Sequence, residues 1–289
     1  MRSLRSALAT LTETRDSLRP PEAGPTPSRS LVAGTNALFR ARETQRPDAI
    51  LRDDWAGRFV EHHPLVQVLR GARFVLPPLR AELERLQVAH CTRHRSIDVL
   101  VAEAIAEGFR QVVIVGAGFD SRCWRIGGEG VMWFEVDLPA TLVRKAALLG
   151  TTSPAIWVMT DLNHEGLDLL PRVDFDASLP TCYVLEGLVH YLPAATLSRL
   201  VSALAPRARV LVSFIDPAMV PEASVVFTSL VKLVREAPRQ TFTAEALAAR
   251  FEGFRLTGHW TFQEQVAAFA PAAWGRPVGV SQDVVRLER

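Results

Sequence analysis

Three apolar runs in this sequence each end on an acidic residue, and a fourth ends on glycines. Gln111-Val112-Val113-Ile114-Val115 enters Gly116-Ala117-Gly118-Phe119-Asp120. Val131 to Val136 brings Glu135 and then Asp137, Ile156 to Met159 leads into Thr160-Asp161-Leu162, and Cys182 to Leu185 leads into Glu186-Gly187. Glycines at a strand end let the backbone turn tightly and approach a ligand closely. A carboxylate about 20 residues further on can accept the hydroxyl hydrogen bonds of a ribose, and Asp137 lies 21 residues after Gly116. Glu135 shares a strand face with Asp137, so alternation alone leaves both open. An acid at the third strand end could take the exocyclic amine of an adenine. Acids at three successive strand ends point to an adenosine-type ligand. NAD and S-adenosyl-L-methionine fit equally at this level, although Ser121 leaves the G-x-G-x-x-G/A pyrophosphate fingerprint incomplete.

Such residues need a sheet to bring them together. The β-branched run at 111–115 reads as a strand buried on both faces, with further strands at 131–136, 156–159, 182–185 and 209–215. Helical stretches at 140–149 and 195–204 alternate with them, as in a doubly wound, mostly parallel α/β sheet whose ligands bind at the carboxyl ends of the strands. Phe254 to Phe262 and Val284 to Leu287 are candidate late strands. Before residue 111 the pattern is helical in pieces, cut at Pro47, Pro64 and Pro77-Pro78, with Leu79, Leu83 and Leu86 on one apolar face. The Pro-rich stretch 19–27 marks residues 1–28 as a flexible N-terminal arm. The remainder divides into a helical cap over 29–95 and a ligand-binding domain over 96–289, with an insertion at about 217–245 that covers the site.

Composition limits the partners. The 289 residues carry 33 basic and 31 acidic side chains, a formal charge of +2, too little for a phosphate-backbone surface, so no nucleic acid is expected. All the basic residues except Lys145 and Lys232 are arginines, most of them expected on a solvated surface. Cys91, Cys123 and Cys182 form no CxxC pair and fit a reducing compartment. No run of about 18 apolar residues is present and no secretory leader can be built from Ala7 to Leu11, so a cytoplasmic protein without membrane contact is expected. His90 and His94 have helical i, i+4 spacing, and His62-His63 precede them. With no carboxylate motif alongside and Arg93 and Arg95 adjacent, no metal is expected there.

The blocks at Arg110 to Arg122, Phe134 to Pro139 with Arg144-Lys145, and Thr181 to Pro193 resemble the leucine carboxyl methyltransferase family. Segments 41–56 and 92–98 resemble its bacterial branch, which includes polyketide O-methyltransferases of the tetracenomycin type. The resemblance runs in order through residues 31–215. It implies the class I methyltransferase fold, a Rossmann-like seven-stranded sheet with an N-terminal helical cover. It also implies S-adenosyl-L-methionine as cofactor, with S-adenosyl-L-homocysteine as product. Carried over by position, Arg93 would pair with the methionine carboxylate, a geometry that suits a guanidinium fork. Gly116, Ala117, Gly118 and Asp120 would line the cofactor, Asp137 would hold the ribose, Asp161 and Leu162 would frame the adenine, and Glu186 would meet the methionine amine. A second basic contact is expected from Arg40, or else Arg42.

Two departures from the family pattern stand out. His190 occupies a position that is commonly hydrophobic and Ser96 one that is commonly aromatic or aliphatic. His190 is either a base facing a hydroxyl substrate or a core histidine, and Tyr191 is placed to touch the acceptor. A carboxylate acceptor needs no base, and apart from His190 no strong base is evident. The expected activity is therefore O-methylation of a small-molecule acceptor, most simply a carboxyl group of a polyketide-like or other secondary metabolite. Apolar residues Phe227, Leu230, Leu233 and Val234 would cover it. The alternatives are a protein C-terminal carboxyl methyltransferase and an NAD(P)-dependent oxidoreductase.

Overall fold

The β-branched runs become the centre of a seven-stranded sheet in the computed structural model, which describes residues 27–60, 77–150, 153–222, 240–270 and 282–289. The N-terminal elements are α1 (Pro27–Thr44), α2 (Ala56–Val60) and the long α3 (Pro77–Ala106). The sheet region follows in the order β1 (Gln111–Val115), α4 (Arg122–Arg125), β2 (Met132–Asp137), α5 (Pro139–Leu149), β3 (Ala155–Met159) and β4 (Thr181–Leu185). It continues with α6 (Ala194–Ser202), β5 (Ala208–Phe214), α7 (Ala244–Ala248), β6 (Arg255–Trp260), α8 (Phe262–Phe269) and β7 (Asp283–Glu288). Residues 1–26 of the expected arm, His62-His63, and the stretch holding Phe227, Leu230, Leu233 and Val234 lie outside the described residues.

The strand order is β3-β2-β1-β4-β5-β7-β6. The first five strands are parallel and β7 runs antiparallel between β5 and β6. Strand order reverses between β1 and β4, so their carboxyl ends open the crevice where α/β sheets bind ligands. Alternation sends Val113 and Val115 into one core layer with Leu197, Leu200 and Val201 of α6. Val112 and Ile114 enter the opposite layer with Ile97, Leu100, Val101 and Ala104 of α3. Every residue of β1, β4 and β5 is buried, whereas the edge strand β6 is largely exposed.

α3 is one 30-residue helix that runs through residue 95, where the sequence suggests a division. Pro77 and Pro78 start it rather than break it, because the first-turn N–H groups have no intrahelical partner. Its first half packs with Phe39 of α1 and Phe262 of α8, and its second half lies on the sheet. No helix among the described residues is long and apolar enough to cross a membrane.

Candidate functional site

The loop after β1 is built to be narrow. The backbone N–H groups of Gly116 and Ala117 both donate to the carbonyl of Val136 (2.8 and 3.1 Å), and Gly116 and Gly118 have φ of +70° and +51°. A Cβ on Gly116 would lie 3.0 Å from Leu188, and one on Gly118 would lie 3.3 Å from Ala33 of α1. The positive φ values favour glycine here, and a Cβ at either position would press on a neighbouring side chain. Ala117 is buried beside them.

Asp137 ends β2 facing this loop. Its carboxylate accepts the N–H groups of Gly118 and Leu138 at 2.7 Å each, and a side-chain bond from Thr141, while burial raises its pKa. Glu135, the other acid on that face, is fully buried and bound to Lys145 at 2.6 Å, and so belongs to the packing of α5. At the end of β3, Asp161 is half-exposed and accepts from the backbone N–H of Asn163 and from His164, while Leu162 is buried in the core layer that holds α6.

Across the crevice, Glu186 follows the last residue of β4. Its Oε1 accepts from Arg93 Nε at 2.9 Å, and its Oε2 accepts from Arg122 Nη2 at 2.6 Å and from His94 Nδ1 at 2.9 Å. Burial works against an ionised Glu186, but the His94 N–H and the Arg122 and Arg93 guanidinium groups outweigh it and hold its carboxyl well below the usual range. His94 Nε2 faces Arg125 Nη2 at 2.8 Å, so the consistent tautomer is neutral with its proton on Nδ1. Burial and then Arg122 depress the His94 pKa, which agrees with that assignment. His90 Nδ1 lies 2.8 Å from Arg93 Nη2 and accepts from it, leaving the His90 Nε2 proton buried and unpartnered among the described residues.

Arg122 is completely buried. Its Nε donates to Asp98 at 2.7 Å, its Nη1 to Asp120, and its Nη2 to Glu186 and to the His94 carbonyl. Asp120 therefore turns inward toward Arg122 and also accepts that residue's backbone N–H. Arg125 binds Asp98 at 2.5 Å. Arg40 donates to Asp53 at 2.8 Å and to the Phe119 carbonyl at 2.5 Å, tying α1 to the loop after β1, while Arg42 sits half-buried in the last turn of α1.

His190 lies in the short 3₁₀ turn Val189–Tyr191 and is buried, with its Nδ1 unpartnered among the described residues. Burial, and then the charge of Arg93, lower its pKa to about 3. Tyr191 is half-buried, its ring 4.3 Å from that of His190.

The structure thus joins Arg93 to Glu186, Asp120 to Glu186 through Arg122, and Asp137 to the glycine loop, all at the carboxyl ends of the neighbouring strands β1, β2 and β4, while Asp161 and Leu162 stand apart at the end of β3. It adds Asp98, Arg122 and Arg125, to which the sequence assigns no role, and His94, which the sequence offers only as a metal ligand and sets aside. Their signal was faint: His94 and Asp98 are polar residues on the face of α3 that otherwise reads as core, and Arg122 and Arg125 are the ends of the short α4. One expectation needs revision. The sequence places no carboxylate motif beside the two histidines, yet the fold brings Glu186 to them, and ligand atoms of His90, His94 and Glu186 lie within 4.8 Å of one another. Those atoms face Arg93, Arg122 and Arg125 instead, and a divalent ion there would meet three guanidinium groups.

The model of the family described as leucine carboxyl methyltransferase matches residues 33–205. A Rhodococcus jostii protein is 32% identical over 84% of this chain and 86% of its own length. The chain belongs to the leucine carboxyl methyltransferase family. A Streptomyces coelicolor relative is 38% identical over 54% of this chain, and that match spans only 57% of the relative's own length. Both relatives bear the name of S-adenosyl-L-methionine-dependent methyltransferases. Among solved structures, a Thermobifida fusca protein named as a methyltransferase superposes with a TM-score of 0.51 at 19% identity, covering 92% of this chain and 94% of that one. A Streptomyces avermitilis protein of the DUF574 family gives 0.59 at 18% identity, covering 89% and 97%. These likenesses establish the shared Rossmann-like fold of the family.

Proposed function

We propose that this chain is an S-adenosyl-L-methionine-dependent O-methyltransferase acting on a carboxyl group of a small apolar acceptor. The donor set suits that cofactor. Arg93 and Glu186 offer a cation and an anion side by side to the two charges of an α-amino acid, and Gly116 to Gly118 offer a backbone wall without side chains. In this reading Arg93 holds the methionine carboxylate and Glu186 the amine. Asp137 takes the ribose, with Asp161 and Leu162 at the adenine, and Asp120 acts through Arg122. Arg40 shapes the Phe119 turn rather than meeting the ligand. Family membership leaves the oxidoreductase alternative without support.

The cofactor supplies a methyl group on a sulfonium with a good leaving group, so the protein's task is to align and desolvate. The observation that carries the carboxyl reading is His190. Its pKa of about 3 makes it a poor base for a phenol or alcohol, whereas a carboxylate is already ionised at neutral pH. His190 and Tyr191 then contact the acceptor as neutral polar groups, with the N-terminal helices as its cover.

The test is incubation with methyl-labelled cofactor and candidate small acids, followed by mild alkali. Label should enter a small molecule and be released as methanol. Label that resists alkali contradicts the ester, and label found only on polypeptide ends favours a protein substrate instead.

A further inference from the structure

Two arginines reach Glu186 in different ways. Arg93 has one contact to Glu186 Oε1 and one to His90, and it faces the crevice, with Nη2 3.9 Å from where a Gly187 Cβ would stand. Arg122 approaches Oε2 from beneath, is wholly buried, and joins three separate elements: Asp98 and the His94 carbonyl on α3, Asp120 after β1, and Glu186 after β4. β1 and β4 are the neighbours at which strand order reverses, so one guanidinium ties together both walls of the crevice. No neutral side chain could serve. Three carboxylates meet at this point, and only a planar fork with donors on three nitrogens satisfies them together.

We propose that Arg122 is a positioning residue that keeps Glu186 ionised and aimed into the crevice while Arg93 is engaged by a ligand carboxylate. This rests on the cofactor reading above. When Arg93 turns from Oε1 toward a ligand, Oε2 still holds Arg122 and the His94 N–H, so the carboxylate stays charged and fixed for the ligand's ammonium group. Without Arg122, Glu186 would keep only neutral His94 and a diverted Arg93. A buried carboxyl so placed takes up a proton as pH falls and loses its attraction for an ammonium group. The titratable and charged groups around this pair are His90, Arg93, His94 and Asp98 from α3, Asp120 from the loop after β1, and Arg125 from α4, with both histidines neutral.

Two probes separate positioning from mere support of the fold. S-adenosyl-L-homocysteine carries the amino acid head, and 5′-methylthioadenosine has the same nucleoside without it. In Arg122→Gln, affinity for the first should fall at least thirtyfold at pH 7.5 and tenfold further by pH 6, with affinity for the second within threefold of wild type. Arg122→Lys keeps the charge but not the fork; it should fold, bind the homocysteine probe between wild type and Arg122→Gln, and leave the nucleoside probe unchanged. It serves alone if Arg122→Gln does not fold. Homocysteine-probe affinity within twofold of wild type in either variant overturns the proposal. So does equal weakening of both probes with no added pH dependence, which marks a structural role. Failure of the wild type to bind S-adenosyl-L-homocysteine overturns the cofactor reading instead.

Discussion

The two ends of the sheet carry similar ion pairs on buried arginines whose carboxylate partners lie in opposite surroundings. At the carboxyl ends of β1 and β4, Arg122 meets Asp98 and Glu186 at 2.7 and 2.6 Å with its side chain fully enclosed. At the amino end of β5, Arg209 meets Glu107 and Glu288 at 2.5 and 2.6 Å, but Glu107 is 52% exposed. Distance alone does not distinguish them. Water screens the second set and leaves it little net worth, whereas each member of the first set is held in place by the cost of leaving its partner buried and unpaired. The buried set therefore fixes geometry to a degree that the exposed set cannot, and the residues that line the candidate site belong to it.

That contrast can be broken by mutation. Asp98→Ala removes one partner of both Arg122 and Arg125, and should cost about 3–5 kcal/mol in urea unfolding. His190 gives a middle-sized effect of a different kind. A histidine whose folded pKa is about 3 is neutral in the native state but takes up a proton in the unfolded chain below about 6.5. The unfolded state then binds more protons, so stability is full above pH 6.5 and falls as pH drops toward 3, by about 1.4 kcal/mol per pH unit for this group. His190→Met should remove one proton's worth of that slope; an unchanged slope would place the charging elsewhere. At the exposed end, Glu107→Ala should shift stability by less than about 1 kcal/mol, and a loss as large as that of Asp98→Ala would erase the distinction between the two ends.

The strands were legible because burial on both faces leaves an unbroken β-branched run, as at Val112 to Val115. The acids Asp137, Asp161 and Glu186 were legible because a charge that closes such a run has to lie at a strand end. α3 was not legible as one helix. After Leu86 its inward face carries His90, Arg93, His94 and Asp98, and a pattern based on hydrophobicity treats these as surface, although Arg93, His94 and Asp98 pair with residues 24 to 93 positions away and His90 pairs with Arg93. Arg122 lay inside a noticed motif, Asp120-Ser121-Arg122, but its role depends on partners from α3 and β4 that only the folded sheet assembles. For the same reason alternation could not choose between Glu135 and Asp137. Lys145, ten residues on, claims the first and leaves the second at the crevice.

The account rests on the crevice between β1 and β4 as the place where the head of the cofactor is held. Calorimetric titration of S-adenosyl-L-homocysteine into wild type, Arg93→Ala and Arg209→Gln tests this most directly. Wild type should bind, Arg93→Ala should bind at least tenfold more weakly, and Arg209→Gln should match wild type. Equal affinity in wild type and Arg93→Ala, or a loss in Arg209→Gln as large as that in Arg93→Ala, would contradict it.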